Sequence, residues 1–415
     1  MSERQRNDFK RLFLGIDERL LFRAAMDGSL RDCPVRGLAW RYLLATLPAG
    51  VPLKRVSTLV DQTIAARREY MALREKHCID PRTSGESLDI SLANPLSQDA
   101  NSPWSEFFEF EELREEIKRD LMRLHPGHDF FSGARVQETM ERILFVWCKL
   151  HPNLSYRQGM HELLAPLYHV LETEAAEAAA APGSQSEEQH ERHEPGRAAA
   201  SFAGAGQELG QLRQLRVMLD LGGAEADAYA LFDRLMGQMG SWFEVGPRVV
   251  RASAGVRSPP ATPLLRKCAH IQHVLLPKVD APLHSRLLAL EVEPQLYLLR
   301  WLRLLFGREF HLEDVKLIWD ALFAHGQGLQ LVDHLALAML LYVRSALLAL
   351  DHPSVLQRLL KFPPIEDVHA LVERALHLQR ILSAHERPPP TPQTPPAPTA
   401  SSATAVPMLA PPRAT

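Results

Sequence analysis

Apolar residues recur at three- and four-residue spacing along most of this chain. Phe110, Leu113, Ile117, Leu121 and Leu124 form one stripe, and Val136, Met140, Ile143, Leu144 and Trp147 a second. Met160, Leu163, Leu164, Leu167 and Leu171 form a third. This is the period of amphipathic helices. Pro166 lies inside the third stripe and is expected to kink that helix or to end a regular stretch of it, because proline lacks the N–H and crowds the preceding turn. Residues 295–305, 312–323 and 331–350 are again helical in composition. Period-two runs bounded by turn residues are missing, and no internal repeat is seen. The expected fold class is therefore all-α.

Three stretches interrupt the pattern. Residues 173–206, rich in Ala, Glu, Gln, Gly and Ser, read as an insert between packed helices, its first alanines able to extend a helix until Pro182 ends it. Residues 245–263 read as a second loop. From Pro388 the chain is dominated by proline, which removes donors and fixes φ, so no core is expected there. That tail reads as flexible and disordered, with a polyproline ligand for a partner as the alternative. The expected organisation is an N-terminal extension over 1–29, a helical domain over 30–382 and a Pro-rich tail over 383–415.

Composition narrows the function classes. Of 415 residues, 23% are charged and 46% hydrophobic, as in ordinary globular proteins. A net charge of -3 gives no basic field for nucleic acid. Cys33, Cys78, Cys148 and Cys268 are scattered without a C-x-x-C pair and suit reduced thiols. The first residues are charged and lack an apolar signal core. The most apolar stretch, 335–350, is interrupted by Arg344 and is short for a bilayer, so a buried helix is expected. The expected location is cytoplasmic, with membrane association through partners.

Two short motifs carry candidate chemistry. In Ile117-Lys-Arg-Asp120-Leu-Met-Arg123, a helix places Ile117 and Leu121 on the apolar stripe. At about 100° per residue, Arg123 then lies roughly 120° from its centre and projects outward. Asp120, three residues earlier, is within reach of Arg123 as a helical neighbour. An exposed ion pair of little energetic weight is the bland alternative. The second motif is Tyr156-Arg-Gln158-Gly159-Met160, between a loop and an apolar helix. Gln158 offers an acceptor oxygen and a donor NH₂, and Gly159 permits close approach of another backbone. A simple loop turn with Tyr156 packed beneath it is the alternative. GTP hydrolysis needs an oriented water and a countercharge, and an arginine from a partner accelerates it by roughly 10³–10⁵.

I-x-x-D-x-x-R followed by Y-x-Q-G-M resembles the signature of TBC-domain GTPase-activating proteins for Rab-type small GTPases. Arg36-Gly-Leu-Ala-Trp40 resembles the opening R-x-x-x-W segment of that domain. The family commonly has Asn after Q-G-M, and this chain has His161. His161-Glu162-Leu-Leu-Ala-Pro166 is similar to the subfamily of TBC domain family member five. So are Asn94-Pro-Leu-Ser-Gln-Asp99, Asp227-Ala-Tyr-Ala-Leu-Phe232, Leu299-Arg-Trp-Leu-Arg-Leu-Leu-Phe-Gly-Arg-Glu-Phe310 and Trp319-Asp-Ala-Leu-Phe323. The likeness implies a two-lobed helical domain that binds a Rab-family GTPase, a late-endosomal one. It implies that Arg123 neutralises charge on the transferred phosphate and that Gln158 orients the attacking water. Ile117, Asp120, Tyr156 and Gly159 are supporting positions. Magnesium and GTP would belong to the partner GTPase, and this chain would need no cofactor or metal. The likeness also implies that Pro95 and Leu96 dock onto retromer on endosomal membranes, a loop tucked onto its own domain being the alternative.

Arg300, Arg303, Arg308, Glu309 and Asp320 read as a structural charge network, with bordering of the GTPase groove as the alternative. His151, His161 and His169 show no shared ligand geometry that would argue for zinc. The competing function is a non-catalytic helical scaffold binding a Rab or a coat complex. A hydrolase acting on its own small substrate would need a metal cluster or a nucleophile–base motif that is not apparent.

Overall fold

The computed structural model describes residues 1–14, 19–44, 56–78, 103–181, 210, 212–244, 262–326 and 328–386. Among these residues the regular structure is helical, without a strand. The chain begins with α1 (Glu3–Phe13), α2 (Leu20–Met26), α3 (Arg36–Leu43) and α4 (Val56–His77). Helices α5 (Pro103–Leu121), α6 (Asp129–Ser132), α7 (Ala134–Leu150), α8 (Met160–Ala180) and α9 (Ala224–Met239) follow. The C-terminal half is built mainly on α10 (Pro263–His270), α11 (Leu298–Arg303), α12 (Leu312–Ala324), α13 (Leu331–Tyr342) and α14 (Val368–Glu386).

The helices stand where the apolar stripes place them. Ile117 and Leu121 on α5, Val136, Met140, Ile143, Leu144 and Trp147 on α7, and Met160, Leu163, Leu164, Leu167 and Leu171 on α8 are all buried. Helix α8 is buried on nearly every side over its first three turns, as expected of a central helix. It passes through Pro166 without interruption and reaches Ala180. Residues 173–180 therefore belong to the packed helix and not to an insert. Glu174, Ala175 and Ala178 are buried there, and the buried Gln5 on α1 donates Nε2 to the Glu174 carbonyl at 2.9 Å. Residues 182–206, 245–261, 387–415 and the Pro95–Leu96 segment lie outside the described residues. The apolar run 331–350 divides into α13 and a short helix, Arg344–Ala349. No described helix is long and apolar enough to cross a membrane.

In the N-terminal half, α5, α7, α8 and α9 pack together, with α4 against α7 and α9. In the C-terminal half α13 packs along α14, and α10 against α11. Helix α12 joins the halves by touching α2, α3, α8 and α14. One apolar core runs through both, and a smaller cluster gathers Phe9, Leu12 and Phe13 of the N-terminal extension with Leu21, Val35, Leu38 and Leu215.

Arg36 and Trp40, one turn apart on α3, converge on Asp320 of α12. Trp40 Nε1 donates to Asp320 Oδ1 at 2.7 Å, and Arg36 Nη2 lies 3.2 Å from Asp320 Oδ2. All three side chains are buried. Removing one partner would strand a buried charge, typically at about 3–5 kcal/mol. The Trp40 ring also meets Trp319 and Phe323 at centroid distances of 6.0 and 5.4 Å. The R-x-x-x-W motif thus serves to tie the two halves together.

Candidate functional site

Helix α5 ends at Leu121, two residues short of Arg123. Arg123 sits in the following turn, its N–H bonded to the Asp120 carbonyl at 3.1 Å. The helix stripe still sets its direction, because buried Ile117 and Leu121 anchor the last turns. The Arg123 side chain is 67% exposed, whereas Asp120 is buried. Arg123 Nη2 pairs with Asp120 Oδ1, and its Nε donates to the Arg119 carbonyl at 3.3 Å. The guanidinium is thus held from behind and presented to solvent.

Gln158 lies in the turn that opens α8 and is exposed. Gly159 is the N-cap of α8 with φ +104, a left-handed conformation that glycine adopts without a Cβ penalty. A Cβ there would come 2.7 Å from Leu304 Cδ2. The close approach that Gly159 allows is therefore that of a side chain, Leu304, and not of another backbone.

Tyr156 is buried beneath the turn, and its hydroxyl connects the two motifs. It lies 2.9 Å from Asp120 Oδ2 and 2.7 Å from His161 Nδ1. An ionised carboxylate only accepts, so the single Tyr156 proton goes to Asp120. His161 Nδ1 must then donate to the tyrosine oxygen, which fixes the ring as the Nδ1–H tautomer. Burial lowers the His161 pKa, opposed by Glu162 and Asp120, so the ring is neutral. Its bare Nε2 faces Glu162 Oε1 at 3.7 Å. Burial likewise raises the Tyr156 pKa, with the Asp120 charge adding to it, so the phenol keeps its proton.

Arg123, Gln158, Asp120, His161, Glu162 and Arg308 line one cavity of about 660 Å³. A second hollow of about 620 Å³ also holds Arg123 and Gln158 and is bordered by Met122, which is 68% exposed. The structure therefore brings together Arg123, Asp120, Tyr156, Gln158 and Gly159, with Ile117 as the buried support beneath them. His161, Glu162 and Met122 have contacts here that the motifs did not assign. Their signal was adjacency: His161 and Glu162 follow Q-G-M, and Met122 precedes the arginine. Of the five charges read as one network, Arg308 borders the cavity and pairs with Glu162. Arg300 pairs with the buried Glu309, and Asp320 belongs to the Trp40 cluster. Among the described residues no group of three or more His, Cys, Asp or Glu is placed to hold a metal ion.

A family model of the Rab-GTPase-TBC domain matches residues 90–186 and 215–348. The chain is similar to mouse (Mus musculus) TBC1 domain family member 5, 34% identical over 365 residues, which are 85% of this chain and 41% of that protein. It is similar to TBC1 domain family member 5 homolog B of Dictyostelium discoideum, 30% identical over 449 residues, covering 86% of this chain and 41% of that protein. The chain thus spans well under half the length of either relative. Among solved structures it resembles the Ypt/Rab-GAP domain of Gyp1p, with a TM-score of 0.61 at 19% identity, covering 92% of this chain and 100% of that one. That likeness concerns the fold.

Proposed function

Given that this chain belongs to the Rab-GTPase-TBC domain family, we propose that it accelerates GTP hydrolysis by a Rab-family small GTPase. In this reading Arg123 and Gln158 enter the partner's nucleotide site together. Arg123 offsets the charge that develops on the phosphoryl group, and Gln158 holds the attacking water through its carboxamide. Magnesium and GTP are the partner's. The observation that carries the proposal is that both side chains are exposed on one cleft, while Asp120 and Tyr156 hold the arginine from the protein side.

The arrangement suits this chemistry for a physical reason. Rigid donors that need no reorganisation at the moment of reaction stabilise a transition state best. Gln158 is held by a glycine turn that packs against Leu304, and Arg123 by a carboxylate whose other oxygen is already engaged. Single-turnover hydrolysis by a panel of GTP-loaded Rabs, with and without the protein, tests the reading. A wild-type chain that stimulates none of them would favour a scaffold that binds without catalysing.

The cellular setting is a further part of the proposal. We infer cytoplasmic residence with recruitment to endosomes through partners, a late-endosomal Rab as substrate and retromer as a docking partner. Likeness to the member-five subfamily supports this. Pro95 and Leu96, the proposed anchors, lie outside the described residues. Leu96→Glu would place a charge in an apolar pocket. It should weaken retromer binding in a calorimetric titration and spare hydrolysis in solution; unchanged affinity would remove the docking claim.

A further inference from the structure

The polar chain that starts at Arg123 extends beyond the finger-bearing half. It runs through Asp120 and Tyr156 to His161, and the next residue, Glu162, receives a two-point contact from Arg308. Arg308 Nε lies 2.8 Å from Glu162 Oε2, and Nη2 lies 2.5 Å from Oε1. Arg308 belongs to the C-terminal half, 146 positions away along the chain.

The turn that carries Arg308 is strained. Leu305 and Phe306 are consecutive, neither is glycine, and their φ values are +44 and +64. Both are fully buried. Left-handed residues of this kind persist only where their surroundings over-determine them, and they concentrate at functional positions. The surroundings are visible. Trp319 Nε1 donates to the Leu305 carbonyl at 3.0 Å, and the Phe306 N–H to the Trp301 carbonyl at 2.8 Å. Glu309 accepts two bonds of 2.8 Å from Arg300.

Two side chains of this rigid turn meet the start of α8. Leu304 fills the space left by Gly159, and Arg308 holds Glu162 one turn further on. Gln158 adjoins the first contact and lines two cavities, one shared with Arg123 and the other with Leu304, and Arg308 borders both. We propose that Arg308 is a positioning residue that, through Glu162, clamps the start of α8 and thereby sets Gln158 relative to Arg123. The C-terminal half then acts as the gauge for the spacing of the two fingers. Without Arg308, Glu162 would lose its two-point partner, and the first turn of α8 its polar tie to the C-terminal half. This inference rests on the GTPase-activating reading. It differs from direct partner contact, which the 51% exposure of Arg308 would otherwise permit.

A double-mutant cycle on the full chain separates these roles, using Arg308→Met, Glu162→Gln and the double variant. Single-turnover GTP hydrolysis by the responsive Rab is followed across protein concentrations, with amide hydrogen exchange over residues 157–163. Each single variant should lower the plateau rate about tenfold and leave the half-saturating concentration within about twofold. The double variant should be no slower than the worse single one, because the pair acts as a unit. Arg308→Lys should recover only part of the rate, since an ammonium cannot reproduce the two-point fork. Exchange over 157–163 should quicken in both single variants. An unchanged plateau rate, additive losses, or a raised half-saturating concentration with an intact plateau would overturn the clamp. If the wild-type chain stimulates no Rab, the functional reading fails, and exchange alone decides: unchanged protection in Arg308→Met would overturn the clamp as well.

Discussion

The Tyr156 hydroxyl lies 2.9 Å from Asp120 Oδ2 and leaves Oδ1 of the same carboxylate to Arg123. One buried acid therefore serves two partners, one from each motif. Its geometry couples the arginine turn to the glutamine turn before any partner arrives.

If that coupling serves hydrolysis, the two exposed ends of it should be indispensable. Arg123→Ala and Gln158→Ala should each lower stimulated Rab hydrolysis by roughly 10²-fold or more, a conservative figure beside the range for an arginine finger. Arg123→Lys should rescue little, because the planar multi-donor geometry is lost. Circular dichroism should show all three variants folded, as expected for exposed side chains. Full activity in either alanine variant would refute the assignment.

The interior of the relay should matter less, but measurably. Tyr156→Phe removes the donor to Asp120 and the acceptor for His161, both in a buried setting. A loss of about 1–3 kcal/mol in stability is expected, together with a fall in the plateau hydrolysis rate. His161→Asn should be well tolerated, since its carboxamide N–H can replace Nδ1–H as the donor to Tyr156. His161→Leu should behave like Tyr156→Phe. Equal activity of His161→Leu and wild type would remove the histidine from the relay.

Gly159 is constrained twice, by its φ of +104 and by Leu304 Cδ2 at 2.7 Å from a would-be Cβ. Gly159→Ala should destabilise the domain, with about 1–3 kcal/mol from the backbone conformation. Adding Leu304→Ala should relieve the contact but not the conformational cost, so urea midpoints should recover only in part. Complete recovery would show that sterics alone set the requirement.

The sequence of α8 also carries a pH signature. Burial pushes the Glu174 carboxyl up to about 8, against the lowering effects of the Gly37 N–H and Arg36. Its Oε1 accepts from the Gly37 N–H at 2.6 Å, while Oε2 has no hydrogen-bond partner. The folded state holds a proton that the unfolded chain releases near about 4.3. This contribution to stability is fully present below that value and is lost as pH rises through about 8. Glu174→Gln should therefore flatten the fall in melting temperature between mildly acidic and alkaline pH. At the alkaline end it should raise the midpoint, by about 1–2 °C per kcal/mol gained in a domain of this size. Asp320, pushed up to about 7 by burial, should leave a residual slope. An unchanged pH profile in Glu174→Gln would show that Glu174 is ionised in the fold.

The sequence by itself determined the helices and the two candidate side chains, Arg123 and Gln158. Periodicity is local: Val136, Met140, Ile143 and Trp147 report their common face from spacing alone, whatever they pack against. The I-x-x-D-x-x-R and Y-x-Q-G-M residues were likewise legible, because each motif lies within one turn or two. The tertiary structure decided what those residues touch. That Tyr156 donates to Asp120, that Trp40 and Arg36 meet Asp320, and that Arg308 reaches Glu162 depend on which helices become neighbours. Such pairings span 36 to 284 positions and leave no periodic trace. The end of α5 at Leu121 was also a tertiary outcome. Weak local propensity leaves helix ends open, and burial against the rest of the chain closes them.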